Sequence, residues 1–171
     1  EEQRDLAETV QNSGEILLTL ISDILDFSKI ESNNLTLRQS PVNISKITEE
    51  ITSLLAESAT QKGLSLTCQI SAEADCVVMA DPLRMRQILL NLINNAIKFT
   101  SQGEVTVVLD MSPIGDFARL CTLEVKDTGI GLTEEELGKL FNPFVQASTT
   151  TTRKYGGTGL GLSICQKIVS L

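Results

Sequence analysis

The stretch PLRMRQILLNLINNAIKF, residues 82–99, constrains the fold of this chain more than any other. Asp81 followed by Pro82 is a helix start, a carboxylate at the N-cap and a proline at the first helical position, where a missing N–H is harmless. Leu92, Ile93, Ala96, Ile97 and Phe99 then ask for burial, yet Asn91, Asn94, Asn95 and Lys98 stand among them. A buried amide without a partner costs roughly 1–3 kcal/mol, so the partner must come from outside the helix. Asn91, Asn95 and Lys98 lie at i, i+4 and i+7 and share one face, while Ile88, Leu92 and Phe99 lie on another. The polar face is either solvated or equipped for binding. Amide oxygens suit a hard cation such as Mg2+, amide nitrogens donate to phosphate oxygens, and Lys98 sets a positive charge against a polyphosphate.

Around this helix the pattern alternates between periods. Leu6, Val10, Leu17, Ile21, Ile24 and Leu25, widened by Leu18, Leu20 and Phe27, give residues 1–32 a helical period with more than one apolar face, as in a bundle. The polar ESNNLTLRQSP (31–41) reads as a linker with a short strand, which puts a domain boundary near Pro41. Asn43 caps a predicted helix to about Gln61, stopped by Gly63; LSLTCQI (64–70) and CVVMA (76–80) read as strands. After Gly103, EVTVVLDM (104–111) and FARLCTLEVKD (117–127) predict an antiparallel hairpin. Thr133 and Glu136 form a capping box for a short helix to about Leu140. NPFVQASTTTTRKYGGTGLG is a long irregular segment, a functional lid or disorder, before a last helix from about Leu160. The order predicts an α+β fold, a mixed sheet with helices on one face, preceded by a bundle-forming helix.

Composition closes several doors. A net charge of −8 argues against a nucleic-acid surface. Cys68, Cys76, Cys121 and Cys165 form no CxxC pair and the chain has no histidine, so a zinc site lacks ligands at usable spacing and the cysteines read as reduced core residues. Without histidine, Ser-His and Cys-His catalysis are excluded. No apolar run is long enough to cross a bilayer and EEQRD lacks a signal-peptide shape, so the expectation is a cytoplasmic segment without membrane contact.

Two further stretches carry chemistry. In DTGIG (127–131), Asp127 continues the parity of Cys121, Leu123 and Val125, which aims its carboxylate toward the core side. An adenine exocyclic amine would supply the donor it needs, with Gly129 and Gly131 admitting a flat base; a strand end with Asp127 capping its own turn is the plainer alternative. In YGGTGLGLS (155–163), glycines at 156, 157, 159 and 161 precede a helix and leave N–H groups for phosphate. The run matches neither Walker A nor a dinucleotide fingerprint.

NLINNAIKF, DTGIG, LFNPF and YGGTGLGLS, in this order and spacing, resemble the N, G1, F and G2 boxes of the sensor histidine kinases, particularly the hybrid kinases. LLTLISDILDFSKIES is similar to the second helix of that family's dimerisation and phosphotransfer domain. The resemblance implies the fold shared with gyrase, heat-shock chaperone and mismatch-repair ATPases, a two-layer α/β sandwich with an ATP lid. It divides the chain into a partial dimerisation helix and linker (1–41) and a catalytic ATP-binding domain (42–171). It implies ATP and Mg2+ as cofactors, with Asn95 on Mg2+ and phosphate, Asn91 beside it, and Lys98 on the phosphates. Asp127 would take the adenine amine and Gly129 and Gly131 would shape the base pocket. Gly157, Thr158, Gly159, Leu160 and Gly161 would close over the phosphates, Phe141 and Phe144 would anchor the lid, and Arg153 would reach the γ-phosphate. The implied partners are a second copy of the chain through the N-terminal helix and a response regulator or receiver domain.

Enzymes of the wider fold that hydrolyse ATP resemble one another in carrying a glutamate at the position of Asn91, and asparagine cannot accept a proton from water. This favours a kinase with slow hydrolysis. The family's acceptor histidine belongs to a helix expected before residue 1, and further strands are expected after Leu171, so the chain reads as a fragment. The alternative is an acceptor-less relative acting as a nucleotide-binding or heterodimerising regulatory module.

Overall fold

The structure, a computed structural model, describes residues 2–32, 34–116, 118–145 and 158–171. In chain order its elements are α1 (Glu2–Glu31), β1 (Ser40–Asn43), α2 (Ile44–Gln61), β2 (Ser65–Ile70), a 3-10 turn (Ala72–Ala74), β3 (Val77–Ala80), α3 (Pro82–Phe99), β4 (Glu104–Ile114), β5 (Ala118–Asp127), α4 (Glu134–Lys139) and α5 (Gly161–Val169). Their contacts group into two compact units, Leu37–Glu134 and Glu1–Thr36 with Glu135–Leu171.

In the unit Leu37–Glu134, the starts of α2 and α3 and the end of α3 each have a chemical cause. Asn43 caps α2 by accepting from the Lys46 N–H at 3.2 Å. Asp81 Oδ1 caps α3 by accepting from the N–H groups of Leu83 (3.0 Å) and Arg84 (3.2 Å), and its Oδ2 accepts from Arg38 N–H at 2.8 Å. Burial raises the Asp81 pKa, but the three backbone donors together with the Arg84 charge outweigh it and hold the carboxyl below its ordinary value. At the far end of α3, Lys62 Nζ donates to the carbonyls of Ile97 (2.6 Å) and Lys98 (2.7 Å), placing a cation at the negative end of the helix dipole.

The core follows the alternation of β4. Val105, Val107, Leu109 and Met111 are buried on one face, while Thr106 and Val108 point the other way and are half-buried. Ile47, Ile51 and Ala59 of α2, with Leu89, Ile93, Ala96 and Ile97 of α3, cover Val105 and Val107 to make the main apolar cluster. A second cluster joins Ile44, Ala74, Leu109 and Met111. The result is helices over one face of a mixed sheet, β2–β4–β5, with β2 parallel and β5 antiparallel to β4. The expectation of one sheet is refined in one respect, because β1 and β3 pair only with each other as an antiparallel ribbon. Pro41, which has no N–H to donate, lies opposite Met79, and the outward side of the ribbon leaves Val77 and Met79 exposed.

In the other unit α1 contacts α5. Ile30 and Asp26 are buried, whereas Leu6, Val10, Leu17, Leu18, Ile21, Ile24 and Leu25 are exposed along α1. In α5 the buried residues are Ser163, Ile164, Cys165 and Ile168. No helix among the described residues is long and apolar enough to cross a membrane.

Candidate nucleotide site

Asn91, Asn95 and Lys98 share the face of α3 that their spacing predicts, with a correction to how the helix is buried. Leu89, Ile93, Ala96 and Ile97, with Ile88, are the buried side; Leu92 and Phe99 are half-buried, and Asn94 is simply exposed to water. Asn91, Asn95 and Lys98 are each half-buried, at the border between core and solvent. Asn91 is engaged within the protein. Among the described residues the Asn95 carboxamide has no hydrogen-bond partner. Burial lowers the Lys98 pKa, and its Nζ stands 4.8 Å from the centroid of the Phe99 ring, a cation–π distance.

The turn after β5 is tightly built. Asp127 pairs across the ladder with the fully buried Val105, but its own side chain is exposed, so the parity that runs through Cys121, Leu123 and Val125 reaches solvent at the strand end. Its Oδ1 accepts from Gly129 N–H at 2.9 Å, the turn-capping bond that the plainer reading anticipated, and among the described residues its second oxygen has no partner. Gly129 is required by close approach: a Cβ there would lie 2.6 Å from the Phe99 carbonyl oxygen and 2.7 Å from Asp127 Oδ1. The Phe99 carbonyl also accepts from Ile130 N–H at 3.4 Å, so the end of α3 and the DTGIG turn touch through backbone. Gly131 has φ +64° with open space around it.

Two residues of this neighbourhood had no role in the sequence reading. Thr128 Oγ1 accepts from Glu104 N–H at 3.1 Å and donates to the Gln102 carbonyl at 3.2 Å, which ties the turn to the start of β4. Thr100 Oγ1, directly after α3, is buried with no partner among the described residues. A recess of about 250 Å3 lies on the outer face of the strands, lined by Gln69, Thr106, Val108 and Lys126 with Glu104, Asp127 and Thr128 at its edge. Its two carboxylates make it a poor place for phosphate. No group of three or more cysteine, aspartate or glutamate side chains is arranged for a metal among the described residues.

The glycine-rich segment belongs to the other unit and is described by itself. Arg153 and Gly157 lie outside the described residues. Thr158 Oγ1 accepts from Leu160 N–H at 3.0 Å and donates to Asp23 Oδ2 at 3.1 Å. Burial raises the Asp23 pKa, the Thr158 hydrogen bond opposes this, and Asp26 adds to the rise. Gly159, at φ +69°, lies where a Cβ would meet the Phe144 backbone and the Val145 carbonyl, both at 3.0 Å. Phe144 N–H donates to the Gly159 carbonyl at 3.1 Å, and Phe144 itself holds φ +63°, a conformation uncommon outside glycine. Its ring meets Phe27 edge-on at 5.7 Å, while Phe141 is exposed. Leu160 is buried and Gly161 opens α5.

Against known proteins, residues 80–171 match the pattern of the family described as histidine kinase-, DNA gyrase B-, and HSP90-like ATPase. The chain belongs to this ATPase family. Within it, the signal transduction histidine-protein kinase BarA of Escherichia coli K12 is 40% identical over 168 residues, 98% of this chain and 18% of that protein. The autoinducer 2 sensor kinase/phosphatase LuxQ of Vibrio cholerae is 39% identical over 171 residues, all of this chain and 20% of that protein. The chain therefore spans a fifth or less of the length of these relatives. Among solved structures, full-length ShkA in complex with AMPPNP superposes with a TM-score of 0.80 at 33% identity, over 99% of this chain and 34% of ShkA. The histidine kinase ThkA, solved with the response regulator protein TrrA, gives 0.68 at 26% identity over 98% of this chain and 44% of that one. The chain is thus an ATPase-fold catalytic region of the kind found in hybrid sensor histidine kinases.

Proposed function

We propose that this chain holds Mg-ATP and supplies its γ-phosphoryl group to a histidine that these residues do not contain, as the ATP-binding part of a two-component sensor kinase. The observation that carries the reading is the Asp127 carboxylate, with one oxygen held by Gly129 N–H and the other open to a donor, beside a turn that excludes any side chain at residue 129. A purine amine fits that acceptor, and the buried Thr100 hydroxyl at the adjoining end of α3 is a polar atom that a bound base can complete directly or through water. The Asn95 carboxamide, which has no hydrogen-bond partner among the described residues, would offer an oxygen to Mg2+. Mg-ATP, when bound, would supply the phosphoryl group and the charge neutralisation. Asn91 and Lys98 hold and orient the phosphates, and Lys98, desolvated where it sits, acts more strongly than a solvated lysine would.

In the same reading Gly159, Leu160 and Gly161 with Gly157 and Thr158 are a phosphate-binding segment, Arg153 is its cation, and Phe144 its anchor. Residues 1–41 serve as the dimerisation helix and linker and 42–171 as the catalytic domain, on the cytoplasmic side. The exposed apolar residues of α1 support a homodimer through that helix, and a response regulator or receiver domain takes the phosphate onward. Incubating the chain with γ-labelled ATP and a separately supplied helical hairpin bearing a histidine should give an acid-labile, base-stable phosphoprotein with Mg2+ and none with Asn95→Ala. Release of free phosphate without any acceptor, at a rate equal to or above transfer, would refute the kinase reading in favour of an ATPase.

A further inference from the structure

The last carbonyls of a helix have no donor within the helix and must find one elsewhere. In α3 the Ala96 carbonyl still accepts from Thr100 N–H at 3.0 Å. The carbonyls that follow are served from outside: Ile97 and Lys98 by Lys62 Nζ at 2.6 and 2.7 Å, and Phe99 by Ile130 N–H at 3.4 Å. Lys62 reaches across from a fixed base. It is the C-cap residue of α2, and its own N–H and that of Leu64 both donate to the Ala59 carbonyl, at 3.1 and 2.9 Å. Gly63 turns the chain between them at φ +74°. Ala59 and Leu64 are buried in the same apolar cluster as Ile93, Ala96 and Ile97. The other donor, Ile130, belongs to the DTGIG turn, in which Gly129 N–H holds Asp127 Oδ1 at 2.9 Å.

A cation near a helix C-terminus lowers the energy of the dipole without needing any particular bond. Two short bonds from one ammonium to consecutive carbonyls do more, because charge-assisted hydrogen bonds at that length fix position as well as charge. Lys98 carries one of the carbonyls so held, and Phe99 beside it carries the one that meets the turn. We infer that Lys62 is a positioning residue: its ammonium holds the last turn of α3 against the DTGIG turn and so sets where the Lys98 side chain and the Asp127 carboxylate stand relative to each other. Its service to a ligand rests on the proposed nucleotide site, in which those two groups meet the phosphate and base ends of one molecule. Without the ammonium the Ile97 and Lys98 carbonyls turn to water, the last turn frays, and the Phe99 carbonyl, Ile130 N–H and Asp127 shift with it. Asp81 caps the opposite end of α3, about 25 Å along the helix, and is not part of this chain of contacts.

The test compares Lys62→Met, Lys62→Arg and Asp81→Ala in the whole chain. Lys62→Met keeps the length of the side chain without its donors and should bind Mg-ATP about 10-fold more weakly by calorimetry, whereas Lys62→Arg, whose guanidinium can serve both carbonyls, should stay within about 3-fold of wild type. Asp81→Ala should be destabilised yet bind as wild type does. In the ligand-free chain, amide exchange at Thr100, Gly129 and Ile130 should quicken at least about 5-fold in Lys62→Met and stay unchanged in Asp81→Ala. In the wild type, a reading that depends on no variant folding, the Lys62 ammonium should exchange its protons with water more slowly than that of exposed Lys167. Wild-type affinity in folded Lys62→Met, an equal loss in Asp81→Ala, unchanged exchange at the three amides, or a Lys62 ammonium as labile as that of Lys167 would each overturn the assignment. If the wild type binds no ATP, quickened exchange in Lys62→Met still upholds the hold of Lys62 on the turn, and it is the nucleotide reading that fails.

Discussion

Replacing Gly129 with alanine probes the turn on which the base-binding reading depends. The added Cβ would sit 2.6 Å from the Phe99 carbonyl oxygen, about 0.8 Å inside the 3.4 Å at which ordinary contact begins, and 2.7 Å from Asp127 Oδ1. The nearer neighbour cannot yield cheaply. The Phe99 oxygen is main chain at the last residue of α3 and accepts from Ile130 N–H, while Asp127 Oδ1 already accepts from Gly129 itself. Relief therefore moves the turn away from the helix and takes Asp127 with it. Overpacking of this kind costs about 1–3 kcal/mol, which corresponds to roughly 5- to 150-fold in ATP affinity if the displacement falls on Asp127. The assay is calorimetric titration with Mg-ATP beside chemical denaturation of the same protein. Gly131→Ala is the matched control, since nothing lies within 4 Å of its Cβ and only the φ of +64° is strained, at about 1 kcal/mol of stability. ATP binding by folded Gly129→Ala equal to wild type, or weaker binding by Gly131→Ala than by Gly129→Ala, would refute the argument.

Other outcomes follow from the same structure. Asp81→Ala removes the α3 cap and an acceptor for Arg38, and should cost about 1–2 kcal/mol by denaturant unfolding at neutral pH. Because the folded-state pKa of Asp81 is depressed, its contribution is present above the ordinary carboxylate value near 3.9 and disappears as pH falls through the lower folded value, so wild type and variant should converge in acid. Leu89→Ala, at a fully buried position, should cost about 2–5 kcal/mol with little change in denaturant slope. Ile21→Asp should abolish a concentration-dependent rise in mass seen by light scattering for the wild-type chain; a wild type that stays monomeric at high concentration would remove the dimer from the account.

How far the sequence was legible depends on whether the cause of a feature is local. Asp81-Pro82 carries its own start signal, and α3 begins and ends where the pattern predicts. The β4–β5 hairpin is likewise written in alternation, and extends to Ile114 beyond the expected end at residue 111. The isolation of the β1–β3 ribbon was not legible, since SPVN has too little alternation to announce a partner and its pairing joins residues about forty positions apart. Motif spacing named Asn95, Asp127 and Gly129, but not the orientation of the Asp127 side chain, which depends on where β5 stops being covered by the core. Thr100 and Thr128 escaped notice because a single threonine at an element boundary usually caps its own turn.

The most direct test of the nucleotide claim is calorimetric titration of this chain and Asp127→Asn with ATP, with and without Mg2+. Asparagine can keep the Gly129 bond through its carbonyl oxygen, but it turns an N–H2 donor toward the adenine amine, a mismatch worth about 1.5–3 kcal/mol or roughly 10- to 150-fold in affinity. The account predicts Mg2+-dependent binding by the wild type and that loss in the variant, with both proteins folded. Equal ATP binding by the two proteins, or no binding by the folded wild type, would contradict it.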